Sequence, residues 1–389
     1  MALSVVRPRT VRAWVLVAAV ALVAVLVPQV PGWLPVSSTS TDPAALRQRV
    51  LGSAAQPYQG YAEISGTLQV PELPHLGDLT ALLTGTTRVR TWYAAPSRWR
   101  FDVVSTAGER DVYGTPDGEY TWDYGANQLT RLVGQAPVRV PRAGDLLPPE
   151  LSRRILSAAQ GDPVTALPAR RVAGRDAAGL RLVPRDPDTT IGRVDLWADP
   201  ATGVPLAVEV TARGASRPVL ASHFAEYDPT RPAAAVLTPQ RPPGSGYSIV
   251  AAPGIADALG ALGRGRTPPE LAGRALREAN AAGVRGIGVY GTGLSAFIAV
   301  RVPGDIGAGA ADAIAHAGGR TEELPAGAVP GRSAEELPDG EVTRLSIAPL
   351  SVAVTRSGFG RWYLLAGLTS TDVLVTAAGE LSQLGGGRR

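Results

Sequence analysis

Apolar and polar residues are arranged in three ways along this chain. Ala13 to Val27 (AWVLVAAVALVAVLV) carries no charged or polar side chain. From Tyr58 onward, short runs alternate between apolar and polar at a period of two, which predicts half-buried strands. They cover Tyr58–Val70, Gly85–Ala95, Arg98–Ser105, Arg110–Thr115, Glu119–Tyr124 and Gln128–Val133. Ala95-Pro96-Ser97, Pro116-Asp117-Gly118 and Gly125-Ala126-Asn127 supply the turns of an antiparallel meander. Asp145 to Gln160 switches to helical spacing, with Leu146, Leu147, Leu151, Ile155 and Leu156 recurring on one side. Four more strands follow at Ala169–Pro184, Ile191–Ala198, Leu206–Ala212 and Pro218–Tyr227. Ahead of the meander, Asp42 and Pro43 open a short helix, Pro43 to Ala54. Pro71 to Leu83 reads as an insertion with a short helix of its own.

Thr238 to Gly246 (TPQRPPGSG) is a linker in which no regular element is expected. The pattern beyond it is mixed. Helices are predicted at Pro269–Ala282, Gly307–Ala317 and Thr371–Leu384. A hairpin is predicted at Gly286–Tyr290 and Leu294–Val302, a loop at Pro325–Gly340, and strands at Val342–Ile347, Ser351–Arg356 and Trp362–Gly367. The organisation read from the chain is therefore a leader over 1–37, a β-rich domain over 38–240 and a smaller mixed domain over 241–389.

The leader predicts export. Arg7, Arg9 and Arg12 precede the apolar run without an acidic residue, and Pro28, Pro31 and Pro35 end it. Positive charge is retained on the cytoplasmic side. Two fates stay open. Val36-Ser37-Ser38 offers a cleavage site of small residues. Extension through Pro28 to Leu34, with Trp33 at interface height, gives a span long enough to stay as an anchor. The expected location is outside the cytoplasmic membrane in either case.

Composition narrows the chemistry. Cysteine is absent, which removes disulfides, thiolate catalysis, cysteine metal sites and N-terminal lipidation. All 38 basic residues are arginine, set against 34 acidic ones. The formal charge of +4 rests mostly on the leader, too little for a nucleic-acid footprint. His75, His223 and His316 are scattered, with no partners at metal-ligand spacing. No G-x-S-x-G elbow occurs, and Gly291-Thr292-Gly293 falls at a hairpin tip rather than on a phosphate loop. Nothing marks an enzyme, a metal centre or a cofactor site.

The aromatic side chains of the meander remain. Tyr120, Trp122 and Tyr124 share a face by the two-residue period, as do Val89 and Tyr93, and Trp99, Phe101 and Val103. Periodicity allows either a packed core or an apolar concavity for an acyl chain. The concavity reading lines the hollow with Val89, Tyr93, Trp99, Phe101, Val103 and Trp122. It closes the hollow with the helix bearing Leu151 and Ile155.

Tyr93 to Leu132 (YAAPSRWRFDVVSTAGERDVYGTPDGEYTWDYGANQLTRL) resembles the lipoprotein-carrier superfamily of LolA and LolB. An aromatic strand end, Pro-x-Arg, an alternating strand, Asp-Gly and an aromatic-Trp-Asp-Tyr step follow in that order. The resemblance covers about residues 44 to 240. It implies an α+β chain with a half-open antiparallel β-barrel, a helical plug, acyl chains held in the hollow and no catalytic residues or cofactors. The continuation through Gly286–Val302 and Leu350–Leu381 is similar to the second domain of the RseB and MucB sigma-E regulators. Two partners are thus implied: a lipid or lipoprotein acyl chain, or the extracytoplasmic part of an anti-sigma factor.

Overall fold

The computed structural model describes residues 41–68, 82–105, 108–133, 141–251, 268–278, 287–324, 340–357 and 360–383. The leader, nearly all of the insertion before Thr84 and most of the loop over 325–340 lie outside the described residues. Among the described residues, no helix is long and apolar enough to cross a membrane.

The meander forms as the alternation requires. Strands β1 (Tyr58–Gly66), β2 (Thr86–Ala95), β3 (Arg98–Ser105), β4 (Gly108–Thr115), β5 (Gly118–Asp123) and β6 (Gln128–Val133) pair in sequence order. Strands β7 (Val164–Val172), β8 (Arg175–Leu182), β9 (Ile191–Ala198), β10 (Pro205–Ala212) and β11 (Leu220–Asp228) continue the same sheet, with β11 beside β1. The predicted strand Ala169–Pro184 is divided between β7 and β8. Ala173 and Gly174 both take positive φ (49° and 76°), the mark of a tight hairpin turn.

One strand crosses the boundary read from the sequence. Gly246–Ala251 (β12) pairs in parallel with β6 and becomes an edge of the first sheet. Linker composition at 238–246 locates the crossing but not the strand after it. Among the described residues the sheet has twelve strands, with β12 and β7 at its two ends, and it stays open rather than closing into a barrel.

Two short helices cover one face of this sheet. Helix α1 (Pro43–Gly52) begins where predicted, with Asp42 Oδ2 accepting from the Ala45 amide at 2.9 Å and Pro43 in the first turn. Helix α2 (Pro148–Ala158) follows a 3₁₀ turn at Ala143–Leu146. Arg47 of α1 ties the two together. Its guanidinium donates to the carbonyls of Leu156 at 3.1 Å and Asp162 at 2.9 Å, and to that of Ala159, satisfying the C-terminal end of α2. Leu46, Val50, Ile155 and Leu156 then join Ile64, Val89, Val194, Leu196, Leu206 and Val208 in one core.

The second domain is a sheet of eight strands: β13 (Glu270–Leu271), β14 (Arg274–Glu278), β15 (Ile287–Tyr290), β16 (Phe297–Val302), β17 (Arg320–Leu324), β18 (Gly340–Ile347), β19 (Leu350–Arg356) and β20 (Trp362–Gly367). Helices α3 (Gly304–His316) and α4 (Thr371–Gln383) match their predicted spans closely. Leu374, Ala377, Ala378 and Leu381 of α4 pack on Val342, Ala353 and Leu365. The expected helix over Pro269–Ala282 is replaced by the β13–β14 hairpin. Ala272 and Gly273 take φ of 50° and 68°, a turn that helical spacing conceals.

The domains touch through loop 186–190. Thr189 forms a β-bridge with Thr369, and the Ser370 amide donates to the Asp188 carbonyl at 2.7 Å. Arg274 donates to Asp188 Oδ2 at 2.8 Å and to Ser295 Oγ at 2.9 Å, while the Ser295 hydroxyl also donates to Asp186. Leu294 and Leu368 of the second domain pack against the core of the first.

Candidate functional site

Strand β3 divides its side chains between two environments. Phe101 points to the helix-covered inner face, is 5% exposed and stacks on Trp99 with centroids 5.5 Å apart. Two glycines make room for this pair. A Cβ on Gly114 would lie 2.2 Å from the Trp99 ring, and one on Gly144 would lie 2.5 Å from Phe101. Val89, Tyr93 and Ile155 are buried in the same core, and Trp99, Val103 and Leu151 sit half-buried against it. Tyr93 stacks on Tyr58 at 5.0 Å, and its hydroxyl donates to the Ala54 carbonyl at 2.6 Å. Burial raises the pKa of both phenols.

Seven of the eight residues read from the sequence as a lining are therefore gathered in one cluster under α1 and α2. Trp122 is not among them. The register pairs Phe101 with Val112 and Val112 with Thr121, so Trp122 is one place out of phase and stands on the outer face. There it packs with Tyr113, Leu129 and Tyr120. Alternation assigns faces within a strand, whereas the phase between strands depends on turn geometry.

The outer face holds a charged group that the sequence reading missed. Arg100 lies between two rings, 5.0 Å from the Trp92 centroid and 4.9 Å from that of Tyr113. It donates to Asp102 at 2.6 and 2.7 Å and to Asp111 at 2.9 Å. Asp102 and Asp111 are direct cross-strand neighbours, each 1% exposed. Burial, and then the Asp102 charge, push the Asp111 carboxyl up to about 7, with Arg100 opposing. Burial raises Asp102 as well. The Tyr113 hydroxyl donates to Asp111 at 3.3 Å. Glu109 completes a trio of carboxylates whose ligand atoms lie within 4.8 Å of one another, but the Arg100 guanidinium already supplies a cation on both aspartates. Arg100 also reaches the Val236 carbonyl at 3.5 Å. Val236, in the segment between β11 and β12, thus reaches this face. The signal for the group was the R-x-D of Arg100 and Asp102, facing away from Phe101.

No protein-family model matches the chain, and no curated protein matches its sequence. Solved structures do resemble it. MucB in complex with MucA(peri) is similar at 16% identity, covering 87% of this chain and 97% of that one, with a TM-score of 0.45. The Pseudomonas aeruginosa MucA/MucB complex is similar at 16% identity over the same shares, with a TM-score of 0.46. A LolA-superfamily protein from Nitrosomonas europaea is similar at 10% identity, covering 51% of this chain and 99% of its own, with a TM-score of 0.24. The chain is thus similar in structure to MucB and to LolA-superfamily proteins.

Proposed function

We propose that this protein is a non-enzymatic binding protein of the cell envelope that takes an acyl chain of a lipid or lipoprotein on the inner face of its first sheet. The observation that supports this reading is the half-buried apolar side chains beside the inner core. Among the described residues, the open sheet of twelve strands carries two helices of 10 and 11 residues on its inner face. Trp99, Val103 and Leu151 stay half-buried against the core there. An acyl chain would enter under α2, the half-barrel's plug in this reading. It would lie along Val89, Tyr93, Trp99, Phe101, Val103, Leu151 and Ile155, with Trp122 left out.

A lipid titration of graded chain length, followed by tryptophan fluorescence, tests it. Each buried methylene contributes about 0.8 kcal/mol, so affinity should rise steeply with length. Leu151→Gln should stay folded and lose affinity by roughly tenfold or more. Affinity that ignores chain length, or a folded Leu151→Gln that binds as well as wild type, overturns the proposal.

A second reading, regulation by binding the extracytoplasmic part of an anti-sigma factor, is favoured by the contact between domains. Arg274, Asp186, Asp188 and Ser295 join the second domain to the first and so build one continuous surface from both. A stable complex with such an ectodomain, lost in Arg274→Ala, is its expected signature.

A further inference from the structure

The outer face of the first sheet has a cleft of its own. Its volume is about 510 Å³, and its floor is made by Gln59, Tyr61, Arg90, Trp92, Glu226 and Asp228. It lies on the side of the sheet away from α1 and α2, so it is separate from the face proposed for an acyl chain. Three of these residues stand in one row. Tyr61 is paired with Arg90 on one side and with Glu226 on the other. At about 4.8 Å per strand, the backbones that carry the cation and the carboxylate are roughly 10 Å apart, with Tyr61 on the strand between them. Arg90 and Glu226 are both exposed and have no ion pair or side-chain hydrogen bond among the described residues.

Trp92 is one diagonal step from Tyr61, beside Gln59. It does not swing freely. Arg100 stacks on its ring at 5.0 Å and is itself fixed by Asp102, Asp111 and the Val236 carbonyl. The buried charged group beside Trp92 therefore holds an aromatic platform in place before any ligand arrives. Gln59 is held likewise, its amide donating to Asp228 and to Thr230, each at 3.1 Å.

We infer that this cleft binds a neutral sugar chain. The ligand must offer acceptors to Arg90, donors to Glu226 and a flat aliphatic face to Tyr61 and Trp92. A saccharide has all three, because its hydroxyls both donate and accept and its C–H faces meet the negative face of an aromatic ring. Other chemistries fit less well. An acyl chain would bury Arg90 and Glu226 without partners. A ligand of one charge sign is attracted at one end of the row and repelled at the other. An added peptide strand finds no free edge, since β1 is hydrogen-bonded to β2 and to β11. A compact zwitterion would pair with Arg90 and Glu226 but leave the Trp92 ring uncovered. The sugar can belong to a free polysaccharide or to a glycolipid headgroup, and the shared chemistry is the neutral pyranose or furanose ring.

Calorimetric titration of the full chain with maltohexaose, chitohexaose and an arabinan hexasaccharide tests this. A parallel arm uses phosphatidylcholine vesicles with and without digalactosyldiacylglycerol. Saturable binding of at least one oligosaccharide is expected, and it should be almost unchanged by salt because the ligand carries no charge. Binding only to the galactolipid vesicles also supports the site and assigns the headgroup as the source. Trp92→Ala should lower affinity by about tenfold or more. Because that variant disturbs Arg100, the exposed changes Arg90→Gln and Glu226→Gln are made too, each expected to cost about tenfold. Arg88→Ala, outside the cleft on the same face, should bind as wild type. The inference is overturned if no sugar and no galactolipid vesicle binds. It is equally overturned if both Arg90→Gln and Glu226→Gln bind like wild type, or if phosphoethanolamine or a charged peptide displaces the sugar in a salt-dependent way. Acyl-chain binding under α2 can succeed or fail independently, since none of these substitutions touches the inner face.

Discussion

Neighbouring residues of β3 meet opposite physics on the two faces of the first sheet. Trp99, Phe101 and Val103 enter one continuous apolar core that includes both helices. Arg100 and Asp102 enter a polar group that is buried just as deeply on Asp102's side but held by ion pairs and rings. The inner face is stabilised by apolar burial, whereas the outer face holds one guanidinium shared between two buried carboxyl groups. The difference teaches that burial alone does not identify the ligand-bearing face. The inner face buries its apolar side chains beneath the two helices, with Trp99, Val103 and Leu151 only half-buried. A cleft lies on the outer face, lined in part by Arg90 and Glu226, which have no side-chain partner among the described residues.

Truncation on the inner face should have the largest effect. Phe101→Ala removes a ring that is 5% exposed and stacked on Trp99, so it should cost about 3–5 kcal/mol, read as a lower urea midpoint. A loss under about 1 kcal/mol would mean that the inner face is loosely filled, as a permanently open hollow would be. Gly114→Ala attacks the same packing from the strand beside it. Its new methyl would lie 2.2 Å from the Trp99 ring, a clash expected to cost roughly 2–3 kcal/mol and to shift the Trp99 emission. Unchanged stability and emission would contradict the placement of Trp99.

On the outer face the informative variable is pH. The Asp111 carboxyl is pushed up to about 7, above the ordinary carboxylate range, and Asp102 is raised too. Between that ordinary range and about 7, the folded chain keeps a proton that the unfolded chain has lost. Stability should therefore fall as pH rises through this window and level off above it. Asp111→Asn resembles the protonated acid at every pH. Its gain over wild type should be near zero around pH 4 and grow to on the order of 2 kcal/mol above pH 7. A gain that shrinks with rising pH would show that the aspartate is held ionised instead.

The sequence made much of this legible, for definite reasons. The meander is short-range, and its Asp-Gly turn and alternation fix β2 to β6 without tertiary information. Helices α3 and α4 were equally plain, the first from its alanine-rich run and the second from the cap at Ser370 or Thr371. What failed depended on backbone signs or on distant pairing. Ala272 and Ala173 take positive φ, which alanine rarely advertises, so a hairpin was read as a helix and two strands as one. The pairing of β12 with β6 joins residues more than a hundred positions apart. Trp122 was assigned to the inner face because the phase between strands is invisible to within-strand alternation. The cleft was illegible because Tyr61, Arg90 and Glu226 come from three strands and meet only through register.

The smallest expected effect separates the two kinds of ion pair on the outer face. Arg88 pairs with Glu63 at 3.2 Å, but their side chains are 60% and 31% exposed. Arg100 makes the same kind of contact at 18% exposure with aspartates at 2% and 1%. Water screens the first pair and already solvates both partners when it opens, so little free energy depends on it. Removing Arg100 leaves two buried carboxylates facing each other without a cation, which they can relieve only by taking up protons. Arg88→Met should accordingly change stability by about 0.5 kcal/mol or less, and that change should fade in high salt. Arg100→Met should destabilise the chain far more at pH 8 than at pH 5. Equal effects of the two substitutions at pH 8 would mean that the support under Trp92 is no stronger than an ordinary surface pair. The rigid platform of the outer cleft would then lose its physical basis.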